Sequence, residues 1–197
     1  ISPVFSRTGK LLEIAYIFRD VTSEKRQADE VSWRATHDPL THAFNRSAMI
    51  SAIDEAILAA RQHEQQHALM YIDLDDFKQI NDHYGHTVGD DMLVGIYREM
   101  EKCVRKGDRI ARMGGDEFVI LLLDCDMVHA VNIAEKIRHH VAHYCLDFRG
   151  EQVCCRGISV GINMLNAQTN DWKQALEATD QACYAAKRQG KNQVSVA

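Results

Sequence analysis

Two strand-like runs, RIARM at 109–113 and EFVILLL at 117–123, are separated only by Gly114, Gly115 and Asp116. Glycine permits the positive φ of a tight turn, so this spacing predicts an antiparallel hairpin in the middle of the chain. Around it, helix and strand patterns alternate. Residues 47–64 carry Ile50, Ile53, Ile57 and Leu58 at helical spacing, and ALMYIDL at 68–74 reads as a buried strand. A helix over 88–104 would turn Met92, Leu93, Ile96, Tyr97 and Met100 inward. Residues 127–144 read as a third long helix, 153–163 as a strand, 172–189 as a fourth helix closed by Gly190, and 194–196 as a last strand. This order implies an α+β fold, with a central mixed, largely antiparallel sheet flanked by helices. A parallel doubly wound sheet does not suit a central hairpin, and no glycine-rich strand-to-helix fingerprint occurs. GxxxxGK[ST] is absent too, so a triphosphate would not be held by a P-loop.

Composition excludes several classes of function. The chain has 197 residues, 46% hydrophobic and 26% charged, which suits one well-buried domain plus a short attachment. Its formal charge of −5, with no long Lys/Arg run, lacks the footprint of a protein that grips nucleic-acid backbones. No nucleic-acid partner is therefore expected. Six cysteines show neither CxxC nor zinc spacing, and reduced thiols in a cytoplasmic setting are the simplest expectation. The longest apolar run, near Val119, is far shorter than a membrane span, so no direct membrane contact is expected of this stretch, although a parent protein could be anchored.

The front of the chain differs from the rest. Residues 11–18 form a strand-like apolar run that turns sharply polar. Residues 23–35 then suit an exposed helix, with Thr22 or Ser23 as N-cap and Glu24 in the first turn. The strand ending in Asp20, Val21 and Thr22 resembles the last strand of a PAS sensor domain followed by a signalling helix. The resemblance implies a sensor remnant over 1–22, a linker helix over 23–36 and a separate domain over 37–197.

The chemistry-bearing residues cluster around the hairpin and the central strand. ALMYIDL runs into Asp73, Asp75 and Asp76, which places carboxylates at the end of a buried strand. An EF-hand loop is excluded because its sixth position, which must be glycine, is Lys78. At the hairpin tip, Asp116 and Glu117 stand beside Gly114 and Gly115, whose bare backbone would let polyphosphate approach closely. If the two segments are neighbours, Asp73, Asp116 and Glu117 converge into the hard oxygen cluster that Mg²⁺ prefers. Left unpaired, each carboxylate pair at about 4 Å would repel by about 4 kcal/mol at an effective dielectric of about 20, so bound cations are the natural remedy.

RMGGDEFVILL, DLDDFKQINDHYGHTVGDDML, DPLTHAFNR at 38–46, SVGI at 159–162 and AAKRQGKN near the end together resemble the GGDEF family of diguanylate cyclase domains. Five ordered motifs spanning roughly 36–196 are specific, whereas GGDE alone would not be. The family fold is similar to nucleotidyl cyclase and polymerase palm domains. The resemblance implies condensation of two GTP into cyclic di-GMP by an antiparallel homodimer, with Mg²⁺ or Mn²⁺, two per site. Asp73 and the Leu74 carbonyl would be metal ligands. Asp116 would be ligand and general base, and Glu117 would complete the site. Lys78 would neutralise developing phosphate charge, and Lys187 and Lys191 would hold the terminal phosphates. Asn81 and Asp90 match residues that read guanine, and His86 would shape their loop.

The RxxD sequence from Arg105 to Asp108 has two compatible readings. It is a helix C-terminus with Gly107 in the cap, and in the family an Arg and Asp at this offset bind cyclic di-GMP as an inhibitor. Lys136 is the expected basic partner, with Asn132 where the family carries arginine. His139, His140 and His143 show no zinc spacing and read as a polar helix face. Two rival functions remain: a GTP-binding regulatory module that no longer cyclises, and a dimerising signal-transfer module without nucleotide chemistry.

Overall fold

A computed structural model describes residues 2–8, 11–15 and 33–197, and the chain divides into two units, 1–35 and 36–197. In the first, β1 (Ser2–Phe5) pairs antiparallel with β2 (Leu11–Ala15). Residues 33–36 are helical. The expected cap at Thr22 or Ser23, the DVT motif and most of the linker helix lie outside the described residues.

The second unit contains α1 (Arg46–His63), β3 (His67–Leu74), α2 (Phe77–Tyr84), α3 (His86–Glu101), β4 (Arg109–Gly114) and β5 (Glu117–Leu122). It continues with α4 (Met127–Ala142), β6 (Cys145–Phe148), β7 (Glu151–Cys154), β8 (Ile158–Leu165), α5 (Trp172–Arg188) and β9 (Val194–Val196). Five strands form one sheet in the order β4-β5-β3-β8-β9, antiparallel except for the parallel pair β8 and β9. The sheet is mixed and largely antiparallel, as the alternation of patterns implies.

β3 is central because its run ALMYIDL is apolar on both faces. Ala68, Met70, Ile72 and Leu74 pack in one core with residues of α2, α3 and α4. Leu69 and Tyr71 pack in a second core with Met49 and Ile53 of α1 and Leu176 and Cys183 of α5. Asp73 continues the Leu69 and Tyr71 face, so the carboxylate emerges beneath α5. Three helices begin on short polar caps: the side chains of Asn45, Asp126 and Asp171 accept from the N–H groups of Ala48, His129 and Gln174 at 2.8–2.9 Å. The edge strand β4 is covered by the loop before α1: Phe44 N–H donates to the Ile110 carbonyl, and Arg112 N–H to the Phe44 carbonyl, both at 2.9 Å.

Four expectations change. Gly107 does not cap a helix, because α3 ends at Glu101 with Lys102 as its C-cap. Residues 77–84 form a helix that the periodicity did not indicate, because its eight residues carry only Phe77 and Ile80 as buried anchors. The single strand expected over 153–163 is instead the end of a hairpin, β6–β7, followed by β8. Arg149 and Gly150, at φ 57° and 83°, form the two-residue turn of that hairpin, and Gly157 at φ 125° separates it from β8. The expectation of reduced thiols fails at one pair, since Cys145 and Cys154 face each other in register across the hairpin and are joined as a disulfide. The other four cysteines are free and buried. No helix among the described residues is long and apolar enough to cross a membrane.

Candidate active site

The sheet register brings the acidic segments together. Asp73 at the end of β3 lies directly opposite Glu117 at the start of β5, and the Leu74 N–H donates to the Asp116 carbonyl at 3.4 Å. The turn between β4 and β5 depends on Gly114 and Gly115, at φ 147° and 54°. Arg112, which the sequence did not single out, braces that tip. Its Nε donates to the Gly115 carbonyl at 2.9 Å and its Nη1 to Asp38 at 3.3 Å. Its position one residue before Met113 and the glycines was the available signal.

Asp38 links this brace to the loop before α1, accepting also from the N–H and hydroxyl of Thr41 at 2.8 and 2.7 Å. Burial alone would raise its pKa, but the Thr41 hydrogen bonds and the Arg112 guanidinium outweigh it and hold the carboxyl below its ordinary 3.8. A depressed carboxylate adds stability that is present above the unfolded pKa and lost as pH falls through the folded one. Asp38→Asn should therefore flatten the fall in melting temperature below about pH 3.8, relative to the parent, in acid titrations followed by circular dichroism.

On the α5 side, the Lys187 ammonium lies 2.5 Å from Asp73 Oδ2. Burial pushes the Asp73 carboxyl up to about 6; Lys187 opposes the shift, while Asp116 and Glu117 add to it by repulsion. Burial on its own would lower the pKa of Lys187, but the bond to Asp73 and the attraction of Asp73 and Asp116 raise it overall. The buried phenol of Tyr71, also unforeseen, is pushed up by burial and then by Glu117 and Asp180. This corner thus carries more negative charge than Lys187 balances.

Among the described residues no three His, Cys, Asp or Glu side chains are gathered closely enough to hold a metal ion as they stand. The oxygen cluster expected of Asp73, Asp116 and Glu117 is thus not gathered: the register sets Asp73 opposite Glu117 and Leu74 against the Asp116 carbonyl, and Lys187 is the cation that Asp73 holds. The available donors are nevertheless all oxygen, the set that suits Mg²⁺ or Mn²⁺. Asp75 stands apart from them: it is buried and turned into the protein, accepting from Ser159 Oγ at 2.8 Å. Asp76, at φ 57°, holds Lys191 at 2.7 Å. Lys187 and Lys191 therefore both reach the β3 end, although Lys191 lies beyond the helix rather than on its face.

Lys78 is exposed in the first turn of α2. Asn81, on the same helix, lies against Gly89 of α3, beside the exposed Asp90. A Cβ on Gly89 would stand 1.9 Å from Asn81 Oδ1, a separation that no packing allows. Gly89→Ala must displace the Asn81 amide; if Asn81 reads guanine as the resemblance implies, GMP affinity should fall about tenfold with little loss of fold, measured by calorimetry and by thermal melting. His86 is exposed at the first position of α3, after Gly85 at φ 85°.

The second candidate site is partly assembled. The Asp108 side chain is buried, its Oδ2 accepting from the Arg105 N–H at 2.9 Å and its Oδ1 from the Leu123 N–H at 3.2 Å. Arg105 is exposed, and its guanidinium donates to the Leu123 carbonyl. A cavity of about 310 Å³ adjoins the pair, lined also by Phe44, Tyr97 and Ile110. Lys136 is exposed on α4, and among the described residues no hydrogen bond or ion pair joins it to Arg105 or Asp108. The histidines at the end of α4 have partners of their own: His139 stacks on His143, just past the helix, and His140 reaches Glu99 of α3 at 3.4 Å.

Comparison with known proteins agrees with this geometry. The family model described as diguanylate cyclase, GGDEF domain, matches residues 35–193. The chain is 34% identical over 196 residues to the probable diguanylate cyclase DgcE of Escherichia coli K12, covering all of this chain and 18% of that protein. It is 35% identical over 185 residues to the diguanylate cyclase DgcM of the same strain, covering 92% of this chain and 43% of DgcM. The cyclic di-GMP phosphodiesterase PdeB of Shewanella oneidensis is 32% identical over 198 residues, covering all of this chain and 22% of PdeB. The chain thus spans less than half the length of these relatives. Among solved structures, the coiled coil and GGDEF domain of DgcB from Caulobacter crescentus, in complex with c-di-GMP, superposes with a TM-score of 0.84 at 27% identity. That match covers 90% of this chain and 94% of the other. An acidic pair registered across β3 and β5, a two-glycine tip between β4 and β5, and a family match over most of its length agree, and the chain belongs to the GGDEF family of diguanylate cyclase domains.

Proposed function

We propose that the chain condenses two GTP molecules into cyclic di-GMP, releasing two pyrophosphates. In each half-reaction the 3′ hydroxyl of one GTP attacks the α-phosphorus of the other, and the bond to pyrophosphate breaks. The observation that carries this reading is the registered pairing of Asp73 with Glu117 beside the glycine tip, with a partly buried excess of negative charge. The side chains of Asp73, Asp116 and Glu117 and the Leu74 carbonyl would hold Mg²⁺ or Mn²⁺, two per site. When bound, the ions supply positive charge against that developing on the phosphate.

The protein's own groups do the rest. Asp116 is the general base for the hydroxyl proton, and Lys78 neutralises developing charge on the phosphate. Lys187 and Lys191 exchange their carboxylate partners for the terminal phosphates. Gly114 and Gly115 let the triphosphate approach the backbone. Asp90 accepts from the N1 and N2 hydrogens of guanine, Asn81 donates and accepts beside it, and His86 shapes their loop. One site holds one GTP, so two chains face each other antiparallel, and aligning both nucleotides supplies much of the acceleration.

Arg105 and Asp108, with Lys136 as the further basic partner, form a site for cyclic di-GMP as inhibitor, and the DgcB complex with that ligand supports product binding in this family. Residues 1–22 are read as a sensor remnant, 23–36 as a signalling helix and 37–197 as the catalytic domain, working in the cytoplasm. Incubating the chain with GTP and Mg²⁺ and separating products by chromatography tests the proposal: cyclic di-GMP and pyrophosphate should form in a 1:2 ratio. GTP binding without product at high protein concentration would instead favour the regulatory reading, which the likeness to a phosphodiesterase keeps in view.

A further inference from the structure

Asp75 is the carboxylate of the DLDD run whose oxygens are both committed inside the protein. It is 3% exposed; Oδ1 accepts from Ser159 Oγ and Oδ2 from the backbone N–H of Asn192, each at 2.8 Å. Its own N–H donates to the Gly157 carbonyl at 3.0 Å. One side chain therefore joins the end of β3, the start of β8 and the loop that leaves α5.

That loop is held in a conformation it would not adopt freely. Lys191 and Asn192 stand in succession at φ 64° and 45°, a left-handed geometry tolerated by asparagine and disfavoured by lysine. Such residues persist only where their surroundings over-determine them. The surroundings here are Asp75 on the Asn192 backbone and Arg138 Nη1 on the Asn192 side chain at 3.3 Å. Gly157 also contributes, because a Cβ there would lie 2.7 Å from Asn192.

The loop is also tied to the end of α5, where the Lys191 N–H and the Gln193 side-chain amide both donate to the Ala186 carbonyl, at 3.2 and 2.8 Å, but neither bond reaches β3; the bond from Lys191 to Asp76 joins partly exposed groups and is too weak and too screened to hold the turn alone. The bond to Asp75 is charge-assisted and out of water, and it is the stronger of the two. We propose that Asp75 is a positioning residue: by clasping the Asn192 N–H it fixes the turn that presents the Lys191 ammonium beside the end of β3. The inference rests on the reading of Lys191 as a ligand of the terminal phosphates. It gives the two adjacent aspartates separate tasks, Asp75 holding the backbone and Asp76 the free ammonium.

The test is calorimetric binding of α,β-methylene GTP and of GMP, at fixed Mg²⁺, to the parent chain, Asp75→Ala, Lys191→Ala and the double variant. Lys191→Ala should weaken the triphosphate analogue about tenfold and leave GMP unchanged. Asp75→Ala should do the same, and the double variant should be no weaker than Lys191→Ala alone, because both remove one contact. A purely structural role would weaken GMP as much as the analogue, or give losses that multiply in the double variant, and either result overturns the proposal. If Lys191→Ala leaves the analogue untouched, the phosphate assignment itself fails; if only Asp75→Ala is silent, the clasp alone fails. Should Asp75→Ala not fold, Arg138→Ala loosens the other end of the clasp. It should weaken the analogue two- to threefold, roughly, with GMP unchanged and no further loss in the Lys191→Ala background, and no selective loss would overturn the proposal.

Discussion

Asp116→Ala is expected to lower cyclic di-GMP formation by about a thousandfold or more, while the chain stays folded and still binds guanine nucleotide. The effect is large because the carboxylate is proposed both to hold metal and to take the hydroxyl proton, and nothing at the tip replaces it. The effect on folding is small because the bond to the Leu74 N–H uses the backbone carbonyl of Asp116, which alanine retains. Asp116 is also only partly buried, at a turn whose shape is set by Gly114 and Gly115. Product and pyrophosphate release should fall together, while the melting temperature stays within a few degrees. Retention of more than about a tenth of the parent rate would remove Asp116 from the catalytic centre. A matching loss of GMP binding would show a disturbed fold instead.

The central sheet was legible because its signals are local and strong. ALMYIDL is long and continuously apolar, as a strand buried on both faces must be, and Gly114 and Gly115 fix a turn that few other residues could make. The missed elements are those whose signals are weak or tertiary. α2 has few anchors, and its length comes from packing beside α3 rather than from propensity. β6 is four residues long and half exposed, with its turn marked by Arg149 and Gly150 rather than by asparagine or aspartate. Without that hairpin, Cys145 and Cys154 had no reason to be paired.

The candidate active site was legible by type more than by geometry. Asp73, Asp116 and Glu117 stood out as candidates because acidic residues at strand ends beside glycines are hard to account for as solvated charge. Their register then follows from the neighbouring of β3 and β5. Nothing in sequence spacing could separate Asp73 from Asp75, two residues apart on one run, yet the first meets Lys187 and the second is sealed behind Ser159. The brace from Arg112 to Asp38 joins residues 74 positions apart, which no local pattern reports.

The placement of Lys187 against Asp73 depends finally on how closely α5 lies on β8, and Gly161 sets that distance. A Cβ at 161 would stand 2.1 Å from the Thr179 carbonyl oxygen and 2.2 Å from the Cys183 N, both backbone atoms of α5. A side chain could rotate away, whereas a helix backbone must move as a body. Gly161→Ala should therefore cost at least about 3 kcal/mol, at or beyond the upper end of ordinary overpacking. For a domain of this size that lowers the melting temperature by roughly 6–12 °C. Gly107→Ala is the control, because a Cβ there meets nothing within 4 Å, and it should melt within about 2 °C of the parent. The folded fraction of Gly161→Ala should also cyclise GTP poorly, since a helix lifted from β8 carries Lys187 away from Asp73. A variant that melts with the parent and turns over at the parent rate would mean that α5 does not lie as close to the sheet as the geometry shows.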